Sequence, residues 1–236
     1  MADSEVDRMC KMYEKRNTED WDQRYSLFNK SFLQVIQERE RVLLSMLANT
    51  LGTSLADKRV LDIGCGTGQT LLAMLQYGFR AENCFGIDIL EDRIALARKR
   101  LPNMTFVCCS AERMPFEKGS FDLLTLFTCL SSILDDSIRA AVCEQAWECL
   151  KPGGVVLIYD FRINNPFNPD VRAITLNELK GYYPTCKYNT KTLTLLPMFG
   201  RRIGRYSIGL CNLLALCPFL RTHRMTAFQK SVAQDQ

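Results

Sequence analysis

Val60-Leu61-Asp62-Ile63-Gly64-Cys65-Gly66-Thr67-Gly68 is the stretch whose reading decides the fold. A short run of Val, Leu and Ile ends in glycines at alternate positions, and a helix-like segment, Gln69 to Tyr77, follows at once. That order describes a buried strand breaking into a tight turn that opens a helix. Glycine serves the turn in two ways. It takes backbone angles closed to other residues, and it lets a ligand lie against the main chain. The free amides at the helix start then face that ligand.

Spacing narrows the ligand. A dinucleotide fingerprint wants glycines at the first, third and sixth places. Counting from Gly64, the sixth place is Gln69, and Gly68 stands at the fifth. Asp62 lies just inside the loop, where its charge suits an amino group better than a pyrophosphate. The next apolar run, Phe85-Gly86-Ile87-Asp88, ends in an acid twenty residues past Gly68. Doubly wound folds put a carboxylate on the ribose hydroxyls at that place. A nucleoside with a cationic amino-acid tail meets these demands, and S-adenosylmethionine fits the description.

Asp62-Ile-Gly-Cys-Gly-Thr-Gly68, Gly86-Ile-Asp88 and Lys151-Pro-Gly-Gly154 together resemble the class I S-adenosylmethionine-dependent methyltransferases. Ala111-Glu112-Arg113-Met114-Pro115-Phe116 and Ser120-Phe121-Asp122 are similar to the small-molecule branch, which includes the ubiquinone-type C-methyltransferases. The shared motifs run over about residues 58 to 160, under half of the chain. The resemblance implies a Rossmann-like α/β fold: a doubly wound, mostly parallel seven-stranded sheet with a last antiparallel strand and helices on both faces. It implies that Asp62 holds the amino group of S-adenosyl-L-methionine and Asp88 its ribose, while Gly64, Cys65, Gly66 and Gly68 allow close backbone approach. Ser110-Ala111 stands where family members carry Asp-Ala against the adenine amino group, so Ser110 makes a weaker hydrogen bond there. Phe127 and Thr128 stand beside the methionine portion, and Ile89, Arg93 and Glu112 complete the expected cofactor set. Trp21 through Gln37-Glu-Arg-Glu-Arg41, with Tyr159-Asp160-Phe-Arg162 and Leu220-Arg-Thr-His223, more loosely resembles a little-characterised group of bacterial methyltransferases often encoded near glycan-assembly genes.

A chain of 236 residues with 47% apolar content suits one α/β domain with a sizeable core. Residues 1–57 read as an N-terminal helical cap, and 58–236 as the methyltransferase domain, with substrate-facing elements from about 160. The first 20 residues are polar and loosely helical in pattern, and Trp21–Asn49 reads as helix. Phe32, Val35, Ile36, Leu43, Met46 and Leu47 recur there at three- and four-residue steps. The charged cluster 37–41 should face water or the active-site mouth. By resemblance this helix covers the cofactor pocket, with Tyr25 set toward substrate and Trp21 and Arg24 beside it. Strands are expected at 60–63, 84–88, 104–108, 121–127 and 155–160, with helices at 69–77, 91–100 and 136–150 between them. Unbroken apolar strands alternating with helices mean a parallel sheet covered on both faces. A helix near 170–182, a strand at 190–195 and a last strand at 225–230 complete the pattern.

Methyl transfer from a sulfonium mainly requires alignment and exclusion of water. A base matters when the acceptor is a hydroxyl. The segment Tyr159 to Pro169 leaves the carboxyl edge of the fifth strand, where open α/β sheets bind ligands. Asp160 is the expected base and His223 the second candidate, with Arg162 and Asn164 or Asn165 orienting the acceptor. The competing reading is an Asn- and Pro-rich turn that caps the next helix. The expected activity is methylation of a small molecule, at a hydroxyl of a sugar, glycan or lipid-linked intermediate. The alternatives are N- or C-methylation of another metabolite, or a cofactor-binding protein without catalysis.

Eleven cysteines without a CxxC pair, and a single histidine, point to reduced thiols in a cytosolic protein and to no metal centre. No signal segment opens the chain. Between Leu179 and Gln234 nine Lys or Arg residues stand without one Asp or Glu, within a net charge of +4. This bias suits an anionic acceptor or neighbour; a plain solvated basic face is the even alternative. No nucleic-acid-binding motif accompanies it, so no nucleic-acid partner is expected. Tyr206–Leu220 is apolar, too short to span a bilayer, and interrupted by Pro218. A core helix is the favoured reading, against a helix lying at a membrane surface.

Overall fold

The computed structural model describes residues 5–17, 26–166, 168–196 and 207–232. Helix α1 covers Glu5–Asn17 and α2 covers Lys30–Thr50. Then β1 (Val60–Ile63), α3 (Gln69–Gln76), β2 (Cys84–Asp88), α4 (Glu91–Arg100), β3 (Thr105–Cys108) and β4 (Phe121–Phe127) alternate. They are followed by α5 (Asp136–Cys149), β5 (Leu150–Phe161), α6 (Leu176–Tyr182), β6 (Lys187–Leu195), α7 (Ile208–Ala215) and β7 (Arg221–Gln229). The strands form one sheet in the order β3-β2-β1-β4-β5-β7-β6. β7 runs antiparallel to both β5 and β6, and the other neighbours pair in parallel. This is the Rossmann-like methyltransferase architecture, with the last strand inserted beside the fifth.

Alternation along the strands divides the core in two. Val60, Leu123, Val155, Leu157 and Tyr159 pack on one face with Leu43, Met46 and Leu47 of α2, Leu71 of α3 and Ile94 of α4. Leu61, Ile63, Leu124, Leu126, Val156 and Ile158 pack on the other with Val142 and Ala146 of α5. The expected N-terminal cap is therefore welded to the domain through α2. Met9 of α1 is buried in the second core, so the polar-looking start of the chain is a packed helix.

Several boundaries differ from the sequence reading for local reasons. α2 begins at Lys30 because Asn29 caps it, its side chain accepting from the amides of Ser31 and Phe32. Trp21, Arg24 and Tyr25 lie outside the described residues. α6 begins at Leu176, where Thr175 accepts from the amide of Glu178, so the helix near 170–182 is shorter than its pattern. Lys151-Pro-Gly-Gly154 is the irregular opening of β5, with a register shift opposite Phe121 and Leu123.

The topology also sets the site. Because β7 is antiparallel, its first residues lie at the carboxyl end of β5, and His223 pairs with Phe161 on one side and Leu193 on the other.

Candidate active site

The glycine loop is wrapped around the end of β2. The amides of Gly64 and Cys65 both donate to the carbonyl of Ile87 at 2.9 Å, and that of Gly68 to Cys65. Gly66 donates to Asp88 Oδ2 at 2.8 Å and Leu90 to Asp88 Oδ1 at 3.0 Å. Gly64 and Gly68 have φ of 74° and 81°. A Cβ on Gly64 would fall 3.0 Å from Cys129 Sγ, and one on Gly68 2.8 Å from Leu101 Cδ1. The two positions therefore need glycine for conformation and for space.

Above the loop lies a cavity of about 660 Å³. Gly64, Asp88, Ile89, Arg93, Ser110, Ala111 and Glu112 line one half, and Phe127, Thr128 and Cys129 its floor. Ser110 Oγ is 3.0 Å from Glu112 Oε2 and donates to it, so the serine orients the glutamate. α1 and α2 roof the cavity with Met9, Tyr13, Phe32, Val35, Ile36 and Arg39. Tyr13 holds the roof down: its hydroxyl lies 3.1 Å from Ser132 Oγ, and the Arg93 guanidinium sits over its ring at 4.3 Å.

The other half is aromatic. Tyr159, Phe161, Thr194, Leu195 and His223 line it. His223 stacks on Tyr159 with ring centroids 4.9 Å apart and leans on Phe161 at 4.2 Å. Thr222 Oγ1 donates to the carbonyl of Thr194 and lies 2.9 Å from His223 Nδ1. With its proton so placed, the hydroxyl accepts from Nδ1–H, which leaves Nε2 as the acceptor of the ring. Burial, then the nearby Arg39 cation, pushes the imidazole down to about 3, so it is neutral. Thr128 and Thr194 adopt left-handed φ of 52° and 69°. The strain, costly for β-branched residues, is spent on Tyr159: Thr128 N–H donates to its carbonyl at 2.7 Å, and Thr194 Oγ1 lies 2.8 Å from its hydroxyl.

Several residues expected in the site stand elsewhere. Asp62 is 2% exposed beneath the loop, where Thr125 Oγ1 donates to Oδ1 at 2.6 Å. Burial pushes its carboxyl up to about 7, against the hydroxyls of Thr125 and Thr70. Among the described residues, the cavity lining does not include Asp62, Cys65, Gly66 or Gly68. Asp160 is absent from the lining too, because β5 alternates: Tyr159 and Phe161 face the cavity, and Asp160 points to the other face of the sheet. There it accepts from the amides of Ser131 and Phe161 at 3.0 and 2.8 Å. Burial pushes it up to about 6, against the Ser131 and Phe161 hydrogen bonds. Arg162 donates to the carbonyls of Pro218 and Arg221, and Asn164 Oδ1 accepts from the amide of Ala173. Neither lines the cavity, and Asn165 does not either. Asn168 of the same segment does line the cavity, so the Asn- and Pro-rich segment is part turn and part cavity wall.

Arg39 is a lining residue that the sequence reading did not single out, although it set the cluster 37–41 toward water or the active-site mouth. Its guanidinium lies 5.6 Å from the Phe127 ring centroid and 5.9 Å from that of Tyr159, and its buried Nε has no hydrogen-bond partner. Phe32, Val35, Ile36 and Arg39 follow the i, i+3, i+4, i+7 stripe of one helix face, so the periodicity carried the signal.

Residues 60–154 match a methyltransferase domain model. This stretch is a methyltransferase domain of the class I S-adenosylmethionine-dependent type. The chain is 36% identical over 110 residues to the uncharacterized methyltransferase YcgJ of Bacillus subtilis, covering 44% of this chain and 41% of that one. It is 33% identical over 134 residues to a demethylmenaquinone methyltransferase of Tropheryma whipplei, covering 56% and 51%. The chain thus spans about half the length, or less, of these curated relatives. The solved structure of the PH0226 protein from Pyrococcus horikoshii shares the fold at a TM-score of 0.61, with 15% identity over 90% of this chain and 99% of that one.

Proposed function

We propose that the chain methylates a hydroxyl of a small acceptor held against Tyr159 and His223: a sugar, glycan or lipid-linked intermediate. One observation carries this reading. A single cavity joins the glycine-loop half, with Asp88, to the aromatic half, with His223.

The residues present fit S-adenosylmethionine. Each oxygen of Asp88 accepts one amide and keeps lone pairs for a ribose diol. Gly64 has no side chain to block the approach, Ile89 and Ala111 offer apolar flanks to the base, and Ser110 and Glu112 offer polar ones. Arg93 closes the rim. Arg39, which forms no ion pair among the described residues and whose buried Nε has no hydrogen-bond partner there, suits the cofactor's carboxylate. Phe127 and Thr128 border the methionine portion. Asp62 acts through the loop, by anchoring β1 to β4, and Cys65, Gly66 and Gly68 act by shaping it. When bound, the cofactor supplies a methyl group on a positively charged sulfur.

His223 Nε2 accepts the hydrogen bond of the acceptor hydroxyl and takes its proton as the O–CH₃ bond forms. A weak base is enough for this, because an alkylated hydroxyl is strongly acidic before it loses its proton. Asp160 does not itself line the cavity; it holds the amide of Ser131, which does. The packed rings of Tyr159, Phe161 and His223 make an aromatic wall for an apolar portion of the acceptor. The same wall favours one second reading, C-methylation of a quinone-type ring, in line with the demethylmenaquinone methyltransferase relative. All eleven cysteines are free thiols, which suits a reducing compartment.

Two measurements test the proposal. Calorimetry with S-adenosylhomocysteine should show binding, and its absence overturns the cofactor reading. Incubation of labelled S-adenosylmethionine with cell extract should yield a labelled methyl ether. A labelled C-methyl ring would replace the first reading with the second.

A further inference from the structure

The apolar stretch after residue 206 is not the core helix its composition favours. In α7 Cys211 is buried, yet Leu210, Leu213, Leu216 and Phe219 are 44%, 63%, 69% and 85% exposed. They recur every third residue through α7 and the 3₁₀ turn Pro218–Leu220, and so form one stripe. Leu27 and Phe28, in the turn before α2, are 56% and 99% exposed. These six account for more than half of the large exposed apolar side chains of the described residues, so the exposure is concentrated rather than scattered. α2 packs against α7, and Phe32 of α2 and Ala215 of α7 both line the cavity. The elements that carry the exposed leucines and phenylalanines therefore border the cavity.

We propose that this face docks on an anionic bilayer surface. Charge selects the occupant. From Leu179 to Gln234 the chain carries nine Lys or Arg and no Asp or Glu, and Arg201, Arg202 and Arg205 directly precede α7 in sequence. Leu and Phe beside a cluster of cations is the composition of a helix lying in the membrane interface. No helix of the described residues is long and apolar enough to cross a membrane. A second copy of the chain is the poorer occupant, because a two-fold contact through α7 would bring together two segments that are basic in sequence. Docked this way, the cavity receives a lipid-linked acceptor at the bilayer surface. That last step rests on the methyltransferase reading; the docking does not.

Cosedimentation of the full chain with phosphatidylcholine vesicles, with and without phosphatidylglycerol, tests the proposal. Partition should be strong only with phosphatidylglycerol and should weaken with salt. Leu213→Glu combined with Phe219→Glu should lower it about tenfold or more while S-adenosylhomocysteine binding persists. Phe28→Ser, in a separate element, should lower it as well. Failure of the wild-type chain to pellet with anionic vesicles overturns the proposal, as does equal partition of wild type and variants. A dimer that the double variant dissolves, without vesicle binding, overturns it in favour of a second copy. Vesicle binding without any cofactor binding would leave the docking intact and overturn only the methyltransferase reading.

Discussion

The carboxyl ends of β1 to β3 and those of β5 to β7 flank one cavity but are built by different means. On the first side the main chain does the work. Gly64, Cys65 and Gly66 bond to Ile87 and Asp88, all within one strand-turn-helix-strand unit. On the second side, side chains meet from far apart in sequence: Arg39, Tyr159, Thr194 and His223 touch across more than 180 residues. The first design holds a constant ligand with little dependence on side-chain identity. The second can be re-shaped for a different acceptor without disturbing the first.

If the halves are separable, a change in one should spare the other. The largest effect is expected from His223→Phe, which keeps an aromatic ring on Tyr159 and removes the acceptor nitrogen. Turnover at saturating cofactor should fall by about 10²–10⁴-fold, with S-adenosylhomocysteine affinity unchanged by calorimetry. A parallel loss of affinity would break the division. Next comes Asp62→Asn, which tests whether Asp62 is foundation or site. Its folded carboxyl, pushed up to about 7 from 3.8, binds a proton that the unfolded chain releases between those values. Its contribution is therefore fully present below pH 3.8 and is lost as pH rises through 7. The loss amounts to about 4 kcal/mol. Asparagine cannot ionise, so denaturant unfolding should show the variant gaining on wild type between pH 5 and pH 8. Parallel profiles would mean a hydrated, ionised Asp62 that reaches the ligand.

What was legible in the sequence follows the same division. The loop from Gly64 to Gly68, the ends of β2 and β4, and the place of Asp88 were readable because each depends on neighbours in the chain. The parallel sheet followed from alternation, while its seven strands and the last antiparallel one came from the family resemblance. The aromatic half was harder. Strand parity alone would have separated Tyr159 and Phe161 from Asp160, yet the acid drew attention because carboxylates do chemistry. His223 owes its place to antiparallel pairing with Phe161, a contact of 62 residues' separation that no local pattern announces. Arg39 was not singled out because its neighbours are charged too, so the cluster could be set toward water or the active-site mouth only as a whole. α7 looked like core because composition does not say which side a helix leaves uncovered.

Asp88→Ala probes the first half directly. It removes the expected ribose partner and frees the amides of Gly66 and Leu90. Affinity for S-adenosylhomocysteine should weaken by about 1.5–3 kcal/mol. An unchanged affinity would show that the main chain alone holds the nucleoside, which sharpens the contrast beyond what is argued above.

The smallest effect separates a role in structure from a role in chemistry at one carboxylate. Asp160 accepts amides of Ser131 and Phe161, and so ties the end of β4 to the end of β5. Asparagine offers one acceptor oxygen where the carboxylate offers two, and its NH₂ group would face a backbone N–H. Asp160→Asn should therefore cost about 1–3 kcal/mol of stability in denaturant unfolding. Turnover, measured below the melting range, should change far less than in His223→Phe, because His223 lines the cavity and Asp160 does not. The opposite pattern, full stability with turnover lost, would mean that Asp160 swings into the aromatic half during the reaction. The two sides of the sheet would then no longer be independent, and the acceptor half would have to be redrawn around β5 rather than around His223.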